Sequence, residues 1–309
     1  MVFGFRAAGP PLPDHGSRGG QFTLMAFLPL RNVSLPGSTE ALYDEWLGWI
    51  EEELAREDCD RDELCRKVLT DLYFPQLTDT GRAGLSSSAR VALAQMDPRN
   101  ITLEPEYYGD LDPALYYPRK PLIWLWEMFD KSVLGENVHL GIKLRRTLAK
   151  RIFKRCGRNF KAFHFVKLSF GYNLEVGDNV VIHRHVLLDD RGGIRIGNGV
   201  SVSDFVNVYS HTHDVVDGRE VYTPVTVIED GVRIAYHATV LAGTRLARDS
   251  MVGAIALVTK DTEPHTVHVG VPARPVKEKL ADARARRRPP TRDPLAEEWD
   301  ETSGGRHAP

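Results

Sequence analysis

Aliphatic residues recur at every sixth position through the second half of the chain. The positions are Val176, Ile182, Leu188, Ile196, Val202, Val208, Ile228, Ile234, Val240, Leu246, Val252 and Val258. A second small or aliphatic residue follows four positions after most of them. A helix, with its period of 3.6, cannot keep this register, and a simple alternating strand does not need the recurring Gly, Asp and Asn. Each hexad therefore predicts a short strand followed by a turn.

Two steps interrupt the period. The step from Leu188 to Ile196 takes eight residues, and the step from Val208 to Ile228 takes twenty. Grouped in threes, the hexads form coils that begin at Val176, Ile196, Ile228 and Leu246. Both irregular steps then fall between the third hexad of one coil and the first hexad of the next. If three hexads make one triangular turn, both insertions leave the resulting prism at the same edge.

Polar residues are concentrated in these two insertions. Asp189 and Asp190 lie in the shorter one, and His211, His213 and Asp214 lie in the longer one. Neighbouring strands in a sheet are ~4.8 Å apart. We therefore expect the two aspartates to lie near the base of the loop that carries the two histidines.

The first half of the chain has a helical pattern. From Ser38, a candidate N-cap, Leu42, Trp46, Trp49 and Ile50 recur on one helix face. Further helices are predicted near Arg61–Tyr73 and Ser87–Met96, and a dense apolar stretch begins at Pro121. We predict a disordered lead over 1–37, a helical region over 38–157, a solenoid over 158–280 and a disordered tail over 281–309, where charges of both signs alternate with Pro and Gly.

The segment 143–158 predicts a basic amphipathic helix. It contains eight Lys and Arg residues, while Leu144, Leu148 and Ile152 recur on one face. One interpretation is a solvated basic face on a helix that packs against the main domain. The other is docking to an anionic membrane surface, as a peripheral contact, or to a phosphorylated substrate.

Composition narrows the class of protein. Hydrophobic residues at 42% and charged residues at 27% are typical of a globular protein. Lys plus Arg (40) nearly balance Asp plus Glu (42), so we expect no nucleic-acid partner. The three cysteines contain no CxxC pair, which argues against a disulfide scaffold or a structural zinc site and favours a cytoplasmic location. The first residues lack the apolar core of a secretory signal, and they are either a flexible extension or precede a start at Met25.

Several stretches carry a family resemblance: NLEVGDNVVIH, GGIRIGNGVSV, YSHTHD before a long loop, GAIALVTKD and VGVPARPVKE. Through them, residues 170 to 278 resemble the left-handed β-helix of the hexapeptide-repeat acyltransferases, in the branch of galactoside, maltose and polysaccharide O-acetyltransferases. The resemblance implies a mainly β fold, a left-handed parallel β-helix with an α-helical N-terminal region. It also implies a homotrimer and acetyl-CoA as acyl donor. The left hand comes from the resemblance, because hexad spacing does not set it.

In similar enzymes one histidine acts as general base toward the acceptor hydroxyl, which then attacks the thioester. His211 and His213 are the two candidates, and the hexad frame counted from Val208 favours His213. Asp214 or a loop carbonyl would orient the imidazole. The absence of a cysteine near this edge favours direct transfer over an acetyl-enzyme.

The resemblance also implies residues for the two substrates. Asp189, Asp190 and His211 are expected on the acceptor side, together with His183, which stands where relatives carry Asn and leaves the acceptor's identity open. The donor would lie between neighbouring prisms and contact Gly253, Ala254, Thr259, Lys260, Arg274 and Lys277. Ala235 and Ile255 stand where glycines are usual, and their side chains would narrow the channel for the pantetheine arm.

Two other functions use the same kind of prism. Zinc-dependent carbonic anhydrases of the γ type bind their metal on three histidines between subunits, two of them five positions apart. Here His211 and His213 are two positions apart, so we expect no metal site. A non-catalytic β-helix used for assembly is the second alternative. The sequence favours an acetyl-CoA-dependent O-acetyltransferase acting on a sugar or similar small molecule.

Overall fold

The structure is a computed structural model that describes residues 34–77 and 84–279. Most of the predicted lead and the whole of the predicted tail over 281–309 lie outside the described residues.

The described part of the helical region contains six α-helices: α1 (Gly37–Ala55), α2 (Arg61–Tyr73), α3 (Ser87–Ala94), α4 (Pro113–Tyr116), α5 (Lys120–Lys131) and α6 (Val138–Ile152). Helix α2 has the predicted bounds, because the Asp60 carboxylate caps it by accepting a hydrogen bond from the backbone N–H of Glu63 (3.1 Å). The predicted cap at Ser38 is wrong: α1 already begins at Gly37, after Pro36. Over residues 34–77 and 84–279, none of the helices combines the length and hydropathy of a membrane span.

The solenoid consists of short strands that form three faces. The strands are β1 (Arg155–Cys156), β2 (Lys161–Ala162), β3 (Lys167–Leu168), β4 (Leu174–Val176), β5 (Val181–Ile182), β6 (Leu187–Asp189), β7 (Ile194–Ile196), β8 (Ser201–Val202), β9 (Asn207–Tyr209), β10 (Thr212–His213), β11 (Val221–Tyr222), β12 (Thr226–Ile228), β13 (Arg233–Ile234), β14 (Thr239–Val240), β15 (Arg245–Leu246), β16 (Met251–Val252), β17 (Leu257–Val258), β18 (Thr266–Val269) and β19 (Arg274–Glu278).

Every third strand of the coil joins the same sheet. The first sheet has the order β1-β4-β7-β12-β15, the second β19-β18-β16-β13-β8-β5-β2, and the third β17-β14-β9-β6-β3. Within these three sheets neighbouring strands pair in parallel, except that the terminal strand β19 runs antiparallel to β18. Strands β10 and β11 form a separate antiparallel hairpin. All twelve predicted hexad positions are at most 3% exposed. The parallel β-helix predicted from the hexads is therefore confirmed.

The structure contains one coil more than the hexads indicated. Cys156, Ala162 and Leu168 occupy its three inward positions at steps of six, and eight further residues lead to Val176. The pattern of large aliphatic residues missed this coil because its first two inward residues are a cysteine and an alanine. The solenoid thus begins at Arg155, before the predicted position 158.

The predicted helix over 143–158 is therefore too long. Helix α6 ends at Ile152, and the basic residues after it belong to the first coil. Leu144 and Leu148 are fully buried, and so are the charged neighbours Arg145 and Arg146, at 1% and 6% exposed. This burial supports packing of α6 against the solenoid rather than docking of its arginines to a membrane.

One buried ion pair joins α5, α6 and the first coil. The guanidinium of Arg145 donates to Asp130 (Nε to Oδ1, 2.8 Å) and to the carbonyl of Ala162 (3.2 Å). The other oxygen of Asp130 accepts the backbone N–H of Phe165 (2.7 Å). Both side chains are 1% exposed. A single carboxylate therefore fixes the position of two helices against the solenoid.

We predict that Asp130→Asn lowers the free energy of unfolding by about 3–5 kcal/mol, because it leaves the guanidinium of Arg145 buried without a counter-charge. The control is Asp44→Asn, which breaks the ion pair of Asp44 with Lys143, where the carboxylate is 57% exposed. That change is expected to cost less than about 1 kcal/mol. Urea titrations of both variants measure the difference, and equal losses would contradict the assigned role of the buried pair.

Candidate active site

Three successive insertions leave the solenoid at one edge, between the third and first sheets. They comprise residues 169–173 after β3, 190–193 after β6 and 210–225 after β9. The longest contains the hairpin β10–β11, in which His213 is paired with Val221. Asp189 is in register with Tyr209 on the neighbouring strand, at the start of that insertion. The predicted convergence of the aspartates with the histidine loop is present in the structure.

Asp189 connects three coils at this edge. One carboxylate oxygen accepts a hydrogen bond from Ser169 Oγ (3.0 Å), and the other contacts Nδ1 of His211. Asp189 is 3% exposed, whereas His211 is half-buried. A carboxylate at Nδ1 fixes the orientation of an imidazole and leaves Nε2 directed away from it. His211 is therefore a rigidly held side chain at the base of the loop.

His213 is exposed and has a different partner. Its Nδ1 lies 3.1 Å from the carbonyl oxygen of Gly218, in the same loop. Because a carbonyl can only accept, the proton of the neutral ring lies on Nδ1 and Nε2 is an acceptor. The rings of His211 and His213 are nearly perpendicular, with centroids 5.6 Å apart.

Asp214 does not orient this imidazole. Its Oδ1 accepts the backbone N–H groups of Val216 (2.7 Å) and Asp217 (2.9 Å), and so stabilises the loop. The orienting group is the Gly218 carbonyl, the alternative that the sequence left open.

Two predicted acceptor residues are not exposed at the histidine loop. Asp190 is fully buried, and its carboxylate accepts the backbone N–H groups of Phe170 (2.8 Å) and Asn173 (3.2 Å). It therefore holds the first insertion in place and is not open to an acceptor. His183 lies at the edge between the second and third sheets, where its ring stacks on Phe163 (4.9 Å between centroids). Burial lowers the pKa of His183. Asp190 is thus enclosed at the histidine edge, and His183 lies at a different edge of the solenoid.

A cavity of about 400 Å³ lies beside His211. Lys167, Asp189 and Arg191 line it from the solenoid, and Glu104 and Tyr108 line it from the helical region. The sequence did not single out Ser169, Arg191 or the segment 103–108. Ser169 precedes Asp189 by twenty residues, the length of one coil, so the spacing could have predicted that the two residues are stacked. The segment from the helical region has no periodic pattern that could have predicted its position.

The predicted donor residues lie on the last coils. Gly253 and Ala254 form the turn between β16 and β17, and Thr259 and Lys260 follow β17. Arg274 and Lys277 lie on the exposed strand β19. In the third sheet β17 is two strands from β9, the strand that precedes the histidine loop. Thr259 and Lys260 therefore lie at the same edge of the solenoid as that loop, about 10 Å from the end of β9 along the solenoid axis. Gly253 and Ala254 lie at the opposite edge of that sheet.

Ile255 has a left-handed backbone conformation (φ 61°) in the turn after Ala254, and it is 66% exposed. A β-branched residue is rare in this conformation. The side chain therefore protrudes at the place where the resemblance implies a glycine. Over the part of the chain that the structure describes, no group of three His, Cys, Asp or Glu side chains is arranged to hold a metal ion.

Comparison with known proteins agrees with the resemblance inferred from the hexads. No family model matches the chain. It is 29% identical to the galactoside O-acetyltransferase of Escherichia coli K12 over 141 residues, which are 44% of this chain and 70% of that protein. It is also 29% identical to the galactoside O-acetyltransferase of Lactococcus lactis over 183 residues, 58% of this chain and 86% of that protein.

Among solved structures, a hexapeptide-repeat acetyltransferase from Vibrio cholerae in complex with acetyl-CoA matches 60% of this chain and 99% of its own, with a TM-score of 0.48 and 23% identity. The sequence matches confirm that the chain resembles hexapeptide-repeat O-acetyltransferases.

The burial of Asp190 predicts a pH-dependent stability. Burial raises the pKa of this carboxyl to about 6, above its value of about 3.9 in an unfolded chain. At a pH between these two pKa values, Asp190 is ionised in the unfolded chain but protonated in the folded protein. The free energy of unfolding therefore falls as pH rises through this range, and it is constant above the folded pKa. Relative to Asp190→Asn, the wild-type protein should lose about 2 kcal/mol between pH 4 and pH 7. Urea titrations at both pH values measure this, and a gain with rising pH would refute it.

Proposed function

We propose that this protein is an acetyl-CoA-dependent O-acetyltransferase that acetylates a hydroxyl of a sugar or similar small molecule, with His213 as general base. The main support is the contact between His213 Nδ1 and the Gly218 carbonyl, which leaves an exposed Nε2 as proton acceptor. The names of the relatives that are 29% identical support the reaction class. The acyl group, acetyl or longer, is part of the proposal.

His213 would act in both halves of the transfer. Nε2 takes the proton of the acceptor hydroxyl while its oxygen attacks the thioester carbonyl, so that a C–O bond forms and the C–S bond breaks. The imidazolium then gives the proton to the departing sulfur, which yields free thiol and an acetyl ester. Throughout the transfer, the Gly218 carbonyl accepts a hydrogen bond from Nδ1–H and so stabilises the imidazolium. The base is regenerated without an external reagent.

The donor would contact the last coils. Lys260, Arg274 and Lys277 are exposed cations, which suit the phosphates of the donor. Thr259 lies at the same edge of the solenoid as His213, whereas Gly253 and Ala254 lie at the opposite edge of the third sheet. A donor that contacts all three residues would therefore cross the third sheet. Large apolar side chains along the far edge, Phe205, Tyr236 and Ile255, are 38%, 49% and 66% exposed. These exposed apolar side chains favour the packing of a second prism against this edge, as in a homotrimer.

His211 is the second candidate for the base, because its contact with Asp189 also leaves Nε2 free. A non-catalytic assembly protein is the alternative from another class. Donor binding separates that alternative from the enzyme, and the variants below separate the two histidines.

Acetyl-CoA should bind saturably, with one site per subunit, in a calorimetric titration carried out in the presence of a chelator. The donor residues do not depend on the acceptor, so binding can be tested before the acceptor is known. No heat of binding at millimolar acetyl-CoA would mean that the side chain of Ile255 closes the channel, and the assembly protein would then be the better proposal.

His213→Ala should lower kcat by about a hundredfold or more while the Kd for acetyl-CoA stays within about twofold, because the change removes proton transfer but no phosphate contact. The control is His265→Asn, at an exposed turn position between the first and second sheets with φ 56°, a conformation that asparagine tolerates. Thiol release measures turnover. If His211→Ala removes turnover and His213→Ala does not, the base is His211.

A further inference from the structure

The hairpin that carries His213 has little support of its own. Strands β10 and β11 have two residues each and form a separate two-stranded sheet. Val215 and Val216, which lie between these strands, are 98% and 93% exposed. An isolated two-stranded hairpin is at best marginally stable in water. The position of His213 is therefore set where the histidine loop, residues 210–225, joins the solenoid.

A first buried hydroxyl lies at the entry to this loop. Ser210 is fully buried, and its Oγ donates to the carbonyl oxygen of Asp189 (2.5 Å) and accepts the backbone N–H of Gly192 (2.9 Å). The backbone N–H of Ser210 donates to the same carbonyl oxygen of Asp189 (3.0 Å). Three hydrogen bonds thus fix the first residue of the loop on the preceding coil, three positions before His213.

A second buried hydroxyl lies at the exit from the loop. Thr226, the first residue of β12, is fully buried, and its Oγ1 donates to the carbonyl oxygen of Tyr209 (2.6 Å), the last residue of β9. The same Oγ1 accepts the backbone N–H of Gly243 (3.0 Å) on the following coil. Tyr209 and Thr226 are the residues just before and just after the loop. One side-chain hydroxyl therefore joins the two ends of the loop and ties them to the next coil.

Both ends of the loop also pack directly on Gly192, in the second insertion. A Cβ atom at this position would lie 2.2 Å from the carbonyl oxygen of Ser210 and 2.4 Å from the carbonyl carbon and oxygen of Thr223. These distances are far below van der Waals contact, so only glycine allows the backbones to approach this closely. The entry and the exit of the loop are thus held against one backbone position.

We propose that Ser210 and Thr226 are positioning residues for the general base, because their hydroxyls close the base of the histidine loop and so hold His213 in place. This inference rests on the proposed function. Proton transfer requires hydrogen-bond reach, and a displacement of about 1 Å can lower turnover by about a hundredfold. Both side chains are fully buried, so they act through His213 rather than on a substrate.

The first test removes and then restores the hydroxyl at position 226. Thr226→Val has a side chain of similar size but leaves the Tyr209 carbonyl and the Gly243 N–H without their shared partner. We expect kcat to fall about tenfold or more while the KM for acetyl-CoA stays within about twofold. Thr226→Ser keeps the hydroxyl, and its kcat should be within about threefold of wild type. Thiol release measures both parameters, with the sugar that wild-type protein acetylates fastest as acceptor.

Thr244→Val is the matched control. Thr244 lies one coil after Thr226 at the same position of the sheet and is 5% exposed, and its hydroxyl donates to Leu241 (2.8 Å) within its own turn. Both kinetic parameters should stay within about twofold of wild type in this variant. Equal losses of kcat in the two valine variants would overturn the inference. A KM for acetyl-CoA that rises as kcat falls would show a general defect of the fold and would exclude a specific positioning role.

Hydrogen exchange separates failure of this inference from failure of the proposed function, because it needs no substrate. The backbone N–H groups of Asp214, Val216 and Glu220 donate to acceptors within the loop. If Thr226 closes the loop, Thr226→Val should raise their exchange rates about tenfold or more and leave those of β13, on the second sheet, unchanged.

The two readouts together decide the outcome. If acetyl-CoA does not bind to wild-type protein, the proposed function fails. Faster exchange of the loop amides would then still support closure of the loop by Thr226, and unchanged exchange would refute it. If acetyl-CoA binds and the loop amides exchange faster while kcat is unchanged, the transferase survives and the positioning role is refuted.

Discussion

The position of the candidate site depends on one constraint, the vertical stacking of coils on an aliphatic core. In the first three coils, three sides of six residues plus two extra residues place each residue above the one twenty positions earlier, as in the contacts of Ser169 with Asp189 and of Phe170 with Asp190. A loop inserted into a side would break the hydrogen bonds of the sheet above and below it. The edge after the third sheet tolerates insertions, because Ile196 and Ile228 remain in register although thirty-two residues separate them. Side chains that are far apart in sequence therefore meet there.

This constraint explains what could be predicted from the sequence. Inward aliphatic residues revealed the coils and the shared edge, since their spacing is a direct consequence of stacking. They did not reveal which way a polar side chain faces at that edge. Asp189 and Asp190 are adjacent, yet one contacts His211 and the other is buried under backbone amides. The first coil was missed because the core tolerates Cys156 and Ala162 where other coils have larger residues, and the segment 103–112 carries no periodic pattern at all.

The two histidines differ because a hairpin separates their environments. His211 lies at the base of the loop, over the coil that supplies Asp189, whereas His213 lies on β10 and its Nδ1 contacts the carbonyl of Gly218. A histidine paired with a carboxylate is held firmly in one orientation, which suits a positioning role. A histidine that keeps its Nδ1 proton on a carbonyl and has an exposed Nε2 can take up a proton and release it again. These two partners are the reason for proposing His213, rather than His211, as the base.

The helical region is attached to the solenoid at two places. The Asp130–Arg145 pair attaches α5 and α6 to the first coil, and Arg191 attaches the segment before α4 to the second insertion. The match to the Escherichia coli galactoside O-acetyltransferase covers 44% of this chain, so more than half of it lies outside that similarity. At that second attachment the guanidinium of Arg191 belongs to the solenoid, and its partners Asp110 and Tyr108 belong to the helical region.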